Sequence, residues 1–65
     1  MMAKIRTLNL GEYVRHPSIR DRIMQIEDGA GSMSVFVRNR KDANDFIFLN
    51  GEQEVEVVTI GANAE

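Results

Sequence analysis

Apolar residues recur along this 65-residue chain at two different periods, and the change of period predicts its elements. Ile19, Ile23 and Ile26 lie four and three residues apart, with Arg20, Asp21, Arg22 and Gln25 filling the other side, which is the spacing of one helix face. Pro17 disfavours helix at His16, Ser18 supplies an N-cap with Asp21 three residues on, and Asp28-Gly29 closes the segment. One amphipathic helix is therefore expected over about 18–28. Beyond the flexible joint 29–32 the period becomes two. Met33, Val35 and Val37 alternate with Ser34, Phe36 and Arg38, which predicts a strand over 33–38. The polar, turn-forming run 39–44 is a loop, and strands follow at 45–49 and 52–60. Asn50-Gly51 between them predicts a two-residue type I′ hairpin, because both central positions need positive φ. That hairpin sets Leu49 against Glu52 and Phe46 against Val55.

The N-terminal segment 4–10 alternates weakly, as an edge strand does. Asn9 with Glu12 three residues later resembles a capping box and predicts a short helical turn over 10–15. These readings add up to an α+β fold: a small antiparallel sheet (the meander 33–38, 45–49 and 52–60 plus an N-terminal strand) packed on one amphipathic helix. The chain is expected to be a single small domain, 1–65, with 61–65 frayed. The assumed hairpin puts Phe46, Phe48, Val55, Val57 and Thr59 against the helix. Ile47, Leu49, Val58 and Ile60 then share the opposite side with Glu52, Glu54 and Glu56. That second side is covered either by the N-terminal segment or by a docked partner, since apolar patches rimmed by charge mark interaction sites.

Size sharpens the expectation of a partner. A chain this short buries only roughly 60% of its unfolded surface, and small domains compensate with disulfides, a metal or oligomerisation. With no cysteine and one histidine, disulfides and a structural zinc are excluded, and self-association into a homodimer or larger is expected. Absence of cysteine fits a reducing cytoplasm, no apolar run reaches the ~20 residues of a membrane span, and Met1-Met2-Ala3-Lys4 lacks a secretion signal. The expected localisation is cytoplasmic, with no membrane partner.

Charge is distributed unevenly. All eight Lys and Arg residues lie at or before Lys41, so residues 1–41 carry +4 and residues 42–65 carry −6. Such polarity governs who approaches a protein rather than how it folds. His16 has no evident orienting partner for general-base work, and no serine sits in a glycine-flanked elbow. The glycines at 29 and 31 run from a helix into a strand, the reverse of a phosphate-binding loop. Neither an enzyme nor a cofactor nor a metal site is expected.

Three binding readings follow. The first is a small non-enzymatic regulator or inhibitor that binds a protein partner, as a homo-oligomer, through Glu52, Glu54 and Glu56 spaced at ~6.8 Å along one strand together with Ile47 and Leu49. In size and acidity the chain is similar to small inhibitors of phage or mobile-element origin, an analogy of composition alone. The alternative is a nucleic-acid-binding module using the basic loop residues Arg38, Arg40 and Lys41, with Arg20 and Arg22 as further phosphate contacts. Against it stands a pI of about 5.3, well below the basic balance of such domains. The third reading is a sensor or sponge for a small anionic ligand at a subunit interface.

Overall fold

Met24 and Ile26 decide the architecture. Both are about 1% exposed, and they alternate with Gln25 and Glu27, so the segment Met24–Asp28 is a strand and not the second half of a helix. The computed structural model describes residues 1–16 and 22–60. It contains six strands: β1 (Met2–Lys4), β2 (Tyr13–Arg15), β3 (Met24–Asp28), β4 (Ser34–Asn39), β5 (Asp42–Asn50) and β6 (Glu54–Val58), with a 3₁₀ turn at Ile5–Thr7. Among the described residues there is no α-helix, so the α+β expectation is corrected to an all-β fold. The four- and three-residue spacing of the isoleucines is real, but a central strand satisfies its backbone against two neighbours while burying Met24 and Ile26, and such tertiary gains override local helix preference. Ser18, Ile19, Arg20 and Asp21 lie outside the described residues.

All pairings are antiparallel, in the order β1-β6-β2-β3-β4-β5. The expected hairpin at Asn50-Gly51 does not form. β5 pairs with β4, placing Val35 opposite Leu49, Phe36 opposite Phe48 and Val37 opposite Ile47. β6 pairs with β1 and β2, with Val55 opposite Ala3 and Val57 opposite Val14. Three residues thus connect strands four positions apart in the sheet. Laid flat, four inter-strand steps of ~4.8 Å exceed what the connection can span at ~3.5 Å per residue, so the sheet must roll. The 3₁₀ turn closes the roll: the Ile5 amide donates to the Gln53 carbonyl (2.9 Å) and the Arg6 amide to the Gly51 carbonyl (3.0 Å).

Gly51 is required at this junction for space. Its φ is not positive, but a Cβ there would strike the Ser32 carbonyl oxygen and come within 2.9 Å of the Met33 Cα. The turn is closed by the Gln53 amide donating to the Asn50 carbonyl (2.8 Å) and by the Asn50 side chain, whose Oδ1 accepts from the Glu52 amide (2.8 Å). Gly29, expected to cap a helix, instead turns the chain from β3 into β4 with a φ of 73°.

Inside the roll lie Ile5, Leu8, Val14, Met24, Ile26, Val35, Val37, Leu49 and Val55. Each strand contributes only its inward set, so the core is one layer of aliphatic side chains whose burial at about 25 cal/mol per Å² supplies the main driving force. The N-terminal expectations are corrected in the same way. Residues 5–7 form the 3₁₀ turn and 13–15 a strand. The Asn9 amide does donate to Glu12 Oε2 (2.8 Å), which is half of a capping box. It closes a tight turn into β2 because Tyr13 and Val14 pair with β3 and β6 before any helix can propagate.

Candidate nucleic-acid interface

Once Val35 and Val37 point inward, the pleat turns Phe36 and Arg38 outward on β4. Register then fixes their neighbours on β5 as Phe48 and Phe46. The Phe36 ring touches both others: it lies 4.9 Å from Phe48 and 5.5 Å from Phe46, centroid to centroid, both tilted. Phe46 and Phe48 remain 53% and 65% exposed. This corrects the expectation that they pack inward with Val55 and Val57, and the cause is the missing hairpin. Without direct pairing across Asn50-Gly51, the inward set of β5 bears no fixed relation to that of β6.

Arg38 completes the face. Its guanidinium carbon sits 5.3 Å from the Phe36 centroid and 5.4 Å from that of Phe46, within cation–π range. Its Nε donates to Glu27 Oε1 (3.0 Å) and its NH1 to the Ala43 carbonyl (2.8 Å), which holds the plane over the rings. Arg40 and Lys41 form the two-residue tip between paired Asn39 and Asp42, and the Arg40 guanidinium reaches over the Tyr13 ring on β2 (5.9 Å). A register shift past Arg38 leaves Ala43, Asn44 and Asp45 as a bulge. The bulge turns Asp45 toward Arg22, whose NH1 donates to Oδ1 (2.9 Å) and Oδ2 (2.8 Å), while Asn39 Nδ2 donates to Oδ2 (3.0 Å). The Asn39 amide and the Arg22 guanidinium hold the Asp45 carboxyl below its usual pKa.

The structure therefore gathers Arg38, Arg40, Lys41 and Arg22 at one end of the β4–β5 hairpin. Arg20 lies outside the described residues. The glutamates are dispersed. Glu52 sits in the turn before β6, with Lys4 Nζ and Arg6 Nε each at 2.8 Å from its carboxylate, and these two cations lower its pKa. Glu54 faces outward opposite Lys4, and Glu56 lies opposite Met2 and Arg15, with Arg15 NH1 at 3.7 Å. Leu49 is buried and Ile47 is exposed, so the two do not share a surface with that row.

Phe46 and Phe48 are the residues that sequence reasoning misplaced. Both alternating sets of Phe46-Ile47-Phe48-Leu49 are apolar, so alternation alone cannot say which faces water. Arg38, in phase with Phe36 on β4, was the usable signal. Among the described residues no three His, Asp or Glu side chains converge as metal ligands, and no helix is long and apolar enough to cross a membrane.

Fold and site together define a small all-β domain whose outward sheet face carries an aromatic cluster beside a basic hairpin tip. Comparisons with family models, curated proteins and solved structures find no match for this chain.

Proposed function

We propose that this chain is a non-enzymatic module that binds single-stranded nucleic acid on the outward face of β4 and β5. The observation that carries the reading is the outward cluster in which half-buried Phe36 contacts the exposed Phe46 and Phe48, with Arg38 laid over two of the rings. Leaving these rings in water loses hydrophobic stabilisation that a core position would supply, and bases stacking on them recover it. Stacking on an aromatic side chain contributes about 1–3 kcal/mol per base and tolerates any sequence. Arg40 and Lys41 at the tip add phosphate contacts that depend on salt. The overall acidity weighs less at this face than it does in the sequence, because Glu52 and Glu56 lie away from β4 and β5, beside Lys4, Arg6 and Arg15.

Fluorescence anisotropy of labelled random single-stranded DNA and RNA across a salt series tests the reading. Binding is expected at low salt, to fall as log salt rises, and to be weaker for a duplex, whose base faces are already stacked. Phe48→Ser is expected to weaken it roughly tenfold, one stacked base at ~1.4 kcal/mol. Absence of binding by the unaltered chain at low salt overturns the proposal.

A second reading rests on one further observation. Among the described residues β5 has a pairing neighbour on one side only, and Phe46, Ile47 and Phe48 along it are exposed. A regulator that docks a protein partner or a second copy would use this edge, since unpaired strand edges accept another strand. Sedimentation of the unaltered chain and of Ile47→Lys separates the readings: a dimer lost in the variant favours docking.

A further inference from the structure

We infer that two copies of this chain pair antiparallel through their β5 edges, about a two-fold axis at Ile47, and that the pairing joins their aromatic clusters into one face. The pairing rests on the docking reading of that edge and gives it one occupant. It does not depend on what the aromatic face binds.

Two hydrogen bonds fix which backbone groups β5 offers. The Gly51 amide donates to the Met33 carbonyl (2.9 Å), and on the other side of β4 the Arg40 amide donates to the Ile23 carbonyl (3.0 Å). Both continue the registers of their strand pairs. Bonded and unbonded pairs alternate in an antiparallel ladder, so odd-numbered residues of β4 bond to β5 and even-numbered ones to β3. Ile47 and Leu49, opposite Val37 and Val35, therefore turn their amides and carbonyls toward β4. Phe46 and Phe48, opposite Arg38 and Phe36, turn theirs the other way, where no strand lies among the described residues.

Side chains at the same edge are uncovered on both faces of the sheet. Phe46 and Phe48 are exposed on the outer face, and Ile47, opposite the buried Val37, is 44% exposed on the inner one. A nucleic-acid strand on the outer face leaves Ile47 in water, whereas an added β-strand covers all three. Edge strands are usually blunted by charge or proline, and neither interrupts residues 46–50. The other edge, β1, is three residues long and carries Lys4, which makes it a poor partner for β5.

Symmetry selects a second copy. Outward groups must meet outward groups, so the axis falls at Phe46, Ile47 or Phe48. At Phe46 it sets Phe48 against Asn44 in the bulge. At Phe48 it sets Phe46 against Asn50, whose carbonyl already accepts from the Gln53 amide (2.8 Å). At Ile47, Phe46 of each copy faces Phe48 of the other, both pairs exchange their main-chain hydrogen bonds, and aromatic rings meet across the junction. Ile47 then faces Ile47 of the second copy and extends the inner layer of Val35 and Val37, while Asp45 faces Leu49 and not a like charge. A foreign strand would need the same apolar phase on both faces, which β5 already carries.

Sedimentation equilibrium without nucleic acid, over a concentration series, tests the pairing. The mass should rise from 7.4 kDa toward twice that value and stay at the lower value in Ile47→Lys, with circular dichroism checking that the variant folds. The axis is tested separately by cysteines placed in a chain that has none. Residues opposed at an unbonded position have Cα atoms ~4.5 Å apart, within disulfide range. Under mild oxidation Ile47→Cys should link into a dimer, whereas Phe46→Cys, two positions out of register with its copy, and Leu10→Cys, exposed away from this edge, should stay monomeric. If Ile47→Lys does not fold, the Ile47→Cys linkage decides. A mass of 7.4 kDa at every concentration overturns the inference, and leaves the aromatic platform standing if Phe48→Ser still weakens strand binding. A dimer that persists in folded Ile47→Lys, or that links through Phe46→Cys or Leu10→Cys in preference to Ile47→Cys, also overturns it. A dimer that links through Ile47→Cys and binds no strand supports the pairing and overturns the nucleic-acid reading.

Discussion

The two ends of the rolled sheet handle charge and apolar surface in opposite ways. At the β1–β6 end, a short edge strand carries Lys4, and its outward cations meet the acidic half of the chain: Lys4 and Arg6 hold Glu52, and Arg15 approaches Glu56. At the β4–β5 end the outward face keeps three phenylalanine rings and a basic tip. A sequence-level separation of +4 and −6 becomes, on folding, largely an internal pairing of the two halves. Net charge and pI therefore understate how much cationic surface one region can offer, and a charge run is informative only once its partners in space are known.

Both ends depend on the junction at Gly51, so the largest expected effect is there. Gly51→Ala drives a Cβ into the Ser32 carbonyl and the Met33 backbone, where neither a side chain nor solvent can give way. A loss of about 3 kcal/mol or more is expected, a large part of the stability of a domain this small. Gly31→Ala is the control: a Cβ there meets nothing within 4 Å, but φ is 84°, so only the left-handed backbone penalty of ~1–2 kcal/mol applies. Thermal or urea unfolding of the two variants checks the order. Equal losses would mean that the close packing of turn, 3₁₀ segment and β4 is not what holds the roll shut.

Smaller in energy, and directed at the faces themselves, is the contrast between Phe48→Ser and Glu54→Gln. The first removes an exposed ring that rests on Phe36, an aromatic pair of about 0.5–1.5 kcal/mol, so unfolding should shift modestly while strand binding falls roughly tenfold. The second removes a carboxylate from the other end of the sheet and should leave both measurements nearly unchanged. A Glu54→Gln variant that alters partner binding as much as Phe48→Ser would return the functional face to β6.

How much of this was legible depends on the kind of signal. Alternation at 33–38 marked a strand, and β4 is one, because a β-branched and apolar set in phase with polar positions has one sensible inside. Alternation at 46–49 carried no such contrast, so its outward Phe46 and Phe48 could be placed only by register with Phe36 and Arg38. The isoleucines at 19, 23 and 26 satisfy a helical period, and Met24 with Ile26 satisfies a period of two. Only the availability of β2 and β4 as neighbours decides between them. Asn50-Gly51 failed for a different reason: the dipeptide permits a tight hairpin, but the glycine is used for close approach and the asparagine for a side-chain hydrogen bond. The basic members of the candidate site were readable from residue type and clustering, whereas its aromatic members needed the fold.

Acid titration gives the smallest effect and separates the two ends without touching either binding face. Glu52, beside Lys4 and Arg6, and Asp45, beside Asn39 and Arg22, both have folded pKa values below those of the unfolded chain. A depressed carboxylate contributes stability that is fully present above its unfolded pKa, near 4, and that disappears as pH falls through the lower folded value. Melting temperature should therefore be level near neutrality and decline below about pH 4 as these contributions are lost. Glu52→Gln should lower the curve above pH 4 and merge with the unaltered chain in acid, since the protonated carboxyl no longer attracts Lys4 and Arg6. Asp45→Asn should do the same, since a neutral side chain no longer draws the Arg22 guanidinium that donates to both of its oxygens. Strand binding should be unaltered in Glu52→Gln, and a loss there as large as that in Phe48→Ser would show that the β1–β6 end takes part in binding.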